Sequence, residues 1–202
     1  MSLADELSLP GTTFVFPAAP LLFSALYGAP TWVDARAWWP LDLERIERMR
    51  RSGGERDLSQ EVPEGLPSAR EAVIGLLDAL EARFPGVPVI LGGFSQGAML
   101  ACDVVLHTSR PFAGLVLLSG ALLCAPDWTP RMPARVSLPV FQSHGTEDDI
   151  LPYSSAEALR ELFRASGVNV QFTTFRGGHG IVSEVLSALR TFLANLEIPS
   201  NA

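Results

Sequence analysis

The feature that most constrains this chain is an alternation of short, continuous apolar runs with longer segments of helical period. The runs are Thr13–Phe16, Val87–Leu91, Gly114–Leu118, Pro139–Gln142 and Val170–Phe175. Each is continuous rather than alternating, the pattern of strands buried on both faces of a parallel sheet. Between them, helical spacing predicts helices over Leu41–Arg50, Ser68–Phe84, Gln96–His107, Ser154–Ala165 and Ile181–Leu196. Ser68-Ala-Arg-Glu71 reads as a capping box opening the second of these. Ser166-Gly167 reads as the stop of the fourth. Strands and crossover helices in this order predict an α/β fold, a mostly parallel central sheet with helices on both faces. Two stretches break the rhythm. Leu21–Pro40, with Gly28, Pro30, Pro40, Trp32, Trp38 and Trp39, reads as an aromatic loop, and Ser52–Pro67 as a polar exposed loop. At 202 residues the whole chain, 1–202, is expected to form one domain.

Composition removes several kinds of chemistry. The net charge is −7, from 22 acidic and 15 basic side chains, and every basic one is arginine. Without lysine there is no Schiff-base or P-loop chemistry, and the acidity speaks against nucleic acid or an anionic membrane as partner. Cys102 and Cys124 are too few for a disulfide framework or a thiolate zinc site. No metal-ligand spacing and no cofactor motif occurs, so the expectation is none of either. The first residues lack a secretory signal and no apolar stretch is long enough to span a bilayer, which predicts a cytoplasmic protein without integral membrane association. Oligomeric state, including a homodimer, is left open.

The strongest local signal is Gly93-Phe-Ser95-Gln-Gly97, a G-x-S-x-G sequence between an apolar run and a helical segment. A serine raised on a sharp strand-to-helix turn sits in strained backbone, and glycines two residues away on either side relieve collisions there. The helix that follows aims its dipole and free N–H groups at the serine, favouring negative charge. A dinucleotide loop is excluded because Phe94 stands where G-x-G-x-x-G needs glycine. A nucleophilic serine needs a base, and the base needs an acid. Of three histidines, His107 closes the post-serine helix, too far along it to reach back. His144 follows a predicted strand and reads as a turn residue or as a rival base. His179, in Gly177-Gly-His-Gly180 after the last strand, lies where α/β sheets bind ligands and is the expected base. The acid comes from Glu147, Asp148 and Asp149, giving the order Ser…Asp…His; spacing does not choose between Asp148 and Asp149.

These pieces together resemble the phospholipase/carboxylesterase family of α/β-hydrolases, which includes acyl-protein thioesterases. The resemblance rests on Phe16-Pro17…Pro20, Ala37-Trp-Trp-Pro-Leu-Asp42, Gly92-Gly-Phe-Ser-Gln-Gly-Ala98, Leu117-Leu-Ser-Gly120, Phe141-Gln-Ser-His-Gly145…Asp148…Pro152 and Gly178-His179, spread over most of residues 14–180. It implies an α/β-hydrolase fold and a serine hydrolase cleaving carboxylic esters or thioesters of small or acyl substrates. It puts the catalytic residues at Ser95, Asp148 and His179, and one oxyanion donor at the backbone N–H of Gln96. It also puts substrate-covering loops near Trp38 and Trp39, which with Leu21, Leu22 and Phe23 read either as the lining of an acyl cleft or as ordinary core and loop packing.

Family members open with a strand and an H-G-x-G loop that supplies a second oxyanion N–H. Nothing upstream of Ser95 reads H-G, and Ser2–Leu9 resembles the helix after that loop, so the fold is expected to be shortened at its N-terminus with an exposed sheet edge. Loss of one oxyanion donor lowers turnover about 10²–10³-fold in better-studied hydrolases. Hence the alternative expectation, a weak or inactive homologue that binds a ligand or partner. Thr146 stands where the family often has Asp, a change confined to its loop. Arg45, Arg48, Arg50, Arg51 and Arg56, interleaved with Glu44, Glu47, Glu55 and Asp57, read as a solvated helix face. Cys102 reads as a core residue and Cys124 as partly exposed.

Overall fold

The computed structural model describes residues 3–7, 9–28, 30, 35–52 and 57–197. Ser2, Trp32, Glu55 and Arg56, and the side chain of Arg50, lie outside the described residues. In chain order the elements are α1 (Leu3–Leu7), β1 (Leu21–Leu22), α2 (Phe23–Tyr27), β2 (Arg36–Ala37), α3 (Leu43–Ser52), α4 (Leu66–Arg83), β3 (Ile90–Phe94) and α5 (Gln96–His107). Then follow β4 (Gly114–Leu118), α6 (Ala125–Trp128), a 3-10 segment (Thr129–Arg135), β5 (Val140–Gly145), α7 (Tyr153–Ala165), β6 (Val170–Phe175) and α8 (Ser183–Ala194).

Four strands form one parallel sheet in the order β3-β4-β5-β6. Its two inner strands, β4 and β5, are buried at every position because both faces are covered there. Leu115 and Leu117 join a cluster with α4 and α5, while Val116 and Leu118 join another with α1 and α8. Phe141 of β5 also faces the second cluster, and its ring meets Phe192 of α8 at 5.5 Å. Helix α5 is buried at every position from Ala98 to Leu106, which explains why its sequence there is apolar save for Asp103. Parallel strands so connected bring the loops after β3, β5 and β6 to one edge, where Ser95, Asp148 and His179 stand.

Several boundaries differ from the sequence expectation, each for a local reason. Thr13–Phe16 forms no strand: Phe14 and Phe16 stack at 6.0 Å, and Phe16 is 60% exposed. Apolar density there mimics a strand, but a strand needs a ladder partner, and β3 is the end strand of the described sheet. Helix α4 starts before the Ser68 capping box, at Leu66, with Gly65 at φ 92° as its N-cap and no side-chain cap. Pro67 suits the first turn, where its missing N–H costs nothing, and Leu66 is wholly buried. Leu21–Pro40 is not all loop: β1 and β2 pair as an antiparallel ribbon around α2. The polar stretch before α4 is pinned inward, with Leu58 buried and the Ser59 and Glu61 carbonyls accepting from Ala125 N and Cys124 N. Cys124, expected to be partly exposed, is buried. Its thiol meets the Glu61 carbonyl at 3.0 Å, and burial, with Asp103 and Asp127 nearby, pushes it up to about 11. No helix among the described residues is long and apolar enough to cross a membrane.

Candidate active site

Ser95 is the N-cap of α5 and holds φ 55° and ψ −120°, a conformation that costs a non-glycine residue free energy. The fold imposes it from both sides. Ser95 N donates to Leu118 O of β4 at 2.8 Å, and Ala98 N and Met99 N donate to Ser95 O at 3.0 and 3.2 Å. A Cβ on Gly93 would lie 2.2 Å from Gly97 C and 2.3 Å from Gly97 O, so only glycine fits. At Gly97 the reasoning from sequence is corrected, because a Cβ there would meet only Trp38 Nε1, at an ordinary 3.8 Å. The turn is tight because Gly93 faces the backbone of 97, and one glycine relieves it.

His179 sits in the loop between β6 and α8. Ser95 Oγ–H donates to His179 Nε2 at 2.8 Å, and His179 Nδ1–H donates to Asp148 Oδ2 at 2.7 Å. The carboxylate can only accept, so it fixes the proton on Nδ1 and leaves Nε2 as acceptor. Of the three acids after β5, Asp148 is the buried one, while Glu147 and Asp149 are exposed and Glu147 pairs with Arg176. Asp148 Oδ1 accepts from Ile150 N and Leu151 N, each at 2.9 Å. Burial alone would raise the Asp148 carboxyl. Hydrogen bonds from His144, His179 and Leu151 N–H, with the charge of His179, override it and hold the group well below the usual carboxylate range.

The two loops carrying Asp148 and His179 are laced together. Thr146 N donates to Phe175 O and Glu147 N to Gly177 O, both at 2.9 Å. A Cβ on Gly145 would lie 2.4 Å from the carbonyl oxygens of Gly177 and Gly178, so glycine lets the loops meet. Ser119, at φ 48° after β4, donates from Oγ to Gly180 O at 3.0 Å, and the Phe94 ring lies 4.8 Å from the imidazole. Sequence reasoning singled out neither Ser119 nor Gly145 for these roles, because each acts through backbone far away in the chain.

The Gln96 backbone N–H heads α5, among the first peptides of a helix that lack an intrahelical acceptor. Its side chain has a second task that the sequence did not disclose. Trp38 N donates to Gln96 Oε1 at 2.6 Å and Gln96 Nε2 donates to Trp39 O at 2.9 Å, so the amide straps the tryptophan segment to the elbow. Trp38 stands beside Gly97, half-buried. For Trp39 the cleft expectation is corrected in favour of core packing: it is 3% exposed, inside the main core cluster, with its Cβ beside Gly65.

The other two histidines are placed elsewhere. His107 meets Asp103 O at 2.8 Å and Asp127 Oδ2 at 2.7 Å. Asp103, His107 and Asp127 bring ligand-type atoms within 4.8 Å of one another. Both carboxylates are already engaged, Asp103 with Arg70 and Trp128 Nε1, Asp127 with Arg131. The group is thus an ion-pair network joining α4, α5 and α6. His144 is fully buried at the end of β5, beside Asp148.

Comparisons with known proteins converge. The Phospholipase/Carboxylesterase family model matches residues 2–197. Acyl-protein thioesterase 1 of Eremothecium gossypii is 30% identical over 202 residues, covering 94% of this chain and 77% of that protein. Its counterpart in Neurospora crassa is 31% identical over 118 residues, 56% of this chain and about half (48%) of that protein's length. Among solved structures, esterase PE8 superposes with a TM-score of 0.71 at 28% identity over 94% of this chain and 80% of the other. SOBER1 of Arabidopsis thaliana, at 20% identity and a TM-score of 0.68 over 95% and 89% of the two chains, shares the fold. Relatives that carry thioesterase and esterase names favour an enzyme over a ligand-binding homologue.

Proposed function

The chain belongs to the phospholipase/carboxylesterase family of α/β-hydrolases, a family of ester-cleaving enzymes, and on that premise we propose that it works through Ser95, His179 and Asp148. The observation that carries this reading is the continuous hydrogen-bonded chain from Ser95 Oγ through His179 to Asp148. Ser95 Oγ attacks the carbonyl carbon of a carboxylic ester or thioester while His179 Nε2 takes its proton. The Gln96 N–H donates to the oxyanion as it forms, and the N-terminal dipole of α5 favours the same charge. The tetrahedral intermediate collapses to an acyl-serine, and His179 returns the proton to the departing alcohol or thiol. Water, deprotonated by the same nitrogen, then releases the acid. Asp148 keeps the proton on Nδ1 and faces the imidazolium as it develops; its depressed proton affinity keeps it charged throughout.

The substrate class is an acyl ester or thioester, with Trp38 and Phe94 as the apolar surfaces flanking the serine. Turnover of short p-nitrophenyl esters and an acyl thioester, beside peptide anilides, tests the reading. The expected result is hydrolysis of ester and thioester, none of the anilide, and loss of activity in Ser95→Ala. Ester turnover no faster than buffer would overturn it.

A further inference from the structure

His144 lies outside the relay but against its carboxylate. Its Nε2 stands 2.8 Å from Leu151 O and 3.2 Å from Asp148 Oδ2, and its side chain is fully buried. Nδ1 is also buried and has no hydrogen-bond partner among the described residues. This geometry settles the tautomer. An Nε2 without a proton would press its lone pair against two oxygens that can only accept. A proton on Nδ1 would be a buried donor with nothing to receive it, more costly than an idle acceptor. The proton therefore resides on Nε2 and is shared between the Leu151 carbonyl and the Asp148 carboxylate.

The same two residues are joined a second way, since Leu151 N donates to Asp148 Oδ1 at 2.9 Å. The turn from 148 to 151 is thus closed by its own backbone on one side and by His144 on the other. The Tyr153 ring lies 6.3 Å from the imidazole, and Gly145 fixes the backbone next to His144 against the His179 loop. With Oδ1 held by two backbone donors and Oδ2 by two imidazoles, the carboxylate has one orientation, the one that faces His179 Nδ1.

We propose that His144 is a positioning residue for the hydrolysis: its Nε2–H clamps the Asp148–Leu151 turn and presents Oδ2 to His179. It touches neither substrate nor serine, so its removal should slow the chemical steps and leave substrate binding alone. The inference rests on the relay proposed above.

Steady-state hydrolysis of p-nitrophenyl acetate by the full chain tests it, with His144→Gln, His144→Asn and His144→Leu beside the wild type. Gln carries an amide N–H to the place of Nε2, whereas Asn reaches only the place of Nδ1 and Leu has no donor. The expected result is a kcat lower by about ten- to a hundredfold in Leu and Asn, the span of one hydrogen bond to a charged group, with KM unchanged. Gln should recover most of kcat. If the Leu protein does not fold, the Gln–Asn pair decides, both being polar and both leaving space in the pocket. Equal kcat in Gln and Asn, or losses that follow melting temperature rather than the donor, would assign His144 to packing and overturn the proposal. A change in KM alone would overturn it too. A wild type indistinguishable from Ser95→Ala would instead remove the relay itself, and is read from that control before the His144 variants are compared.

Discussion

At the scale of single residues, the site depends on a few positions where one atom decides. Gly93 is the sharpest. Its missing Cβ would have to occupy the same space as the Gly97 carbonyl, which is backbone and cannot swing away. Gly93→Ala should therefore cost at least about 1–3 kcal/mol by overpacking, a fall of several degrees in melting temperature. Gly97→Ala should stay within about 1 kcal/mol of wild type, because a helical position with open space tolerates alanine. Equal losses in the two, measured by thermal denaturation, would contradict this account of the elbow. Asp148 makes a prediction in pH. Its native carboxyl binds protons more weakly than the roughly 3.9 of an unfolded aspartate, so its contribution to stability is fully present above that value. The contribution is lost as pH falls toward the lower native value. Urea midpoints between about pH 6 and 2.5 should thus fall more steeply for wild type than for Asp148→Asn; parallel slopes would refute it. The Ser95 turn was legible at this scale because a strained serine between strand and helix has a sequence signature, and the place of His179 because it follows the last strand. The strap made by the Gln96 side chain, the Ser119 hold on Gly180 and the His144 clamp were not. Their partners lie in other elements, and no local pattern encodes a contact across the chain.

At the scale of elements, the proposed relay depends on two loops held at a fixed distance. The β5 and β6 loops approach closely only because residue 145 is glycine. Gly145→Ala must push the Gly177–Gly178 carbonyls away and the neighbouring His179 with them. A displacement near 1 Å costs on the order of 10²-fold, so kcat for an acyl ester should drop by about that factor. Wild-type kcat in that variant would show that the loop spacing is not what sets the relay. The network around Asp103 is the structural counterpart. Its buried carboxylate receives Arg70 and Trp128 Nε1, and Asp103→Ala would leave both without their partner. Loss of one member of a buried pair costs about 3–5 kcal/mol, here roughly 6–20 °C in melting temperature. A shift under 2 °C would mean that water replaces the carboxylate. Strand β4 was readable to the residue, since burial on all sides writes itself as an unbroken apolar run, and helix α5 nearly so, with Asp103 the one charged residue among its buried positions. The start of α4 was not, because Gly65 and Pro67 set it by backbone conformation while the Ser68–Glu71 pattern inside it is idle. Thr13–Phe16 misled for the opposite reason, carrying strand composition without a neighbouring strand.

At the scale of the molecule, parallel order and crossover helices carry three loops, separated by up to 84 positions in sequence, to one edge of the sheet. The fold thus explains how distant residues form one relay, and the family match explains why the motif reads as it does. The central claim is that Ser95 is a nucleophile activated by His179. Its most direct measurement is covalent labelling with a fluorophosphonate, followed by peptide mapping by mass spectrometry. One phosphonyl group per chain on Ser95, with labelling abolished in Ser95→Ala and slowed at least about 10³-fold in His179→Ala, is the result predicted. Labelling of wild type and Ser95→Ala to the same extent, or a label mapped to another residue, would contradict it.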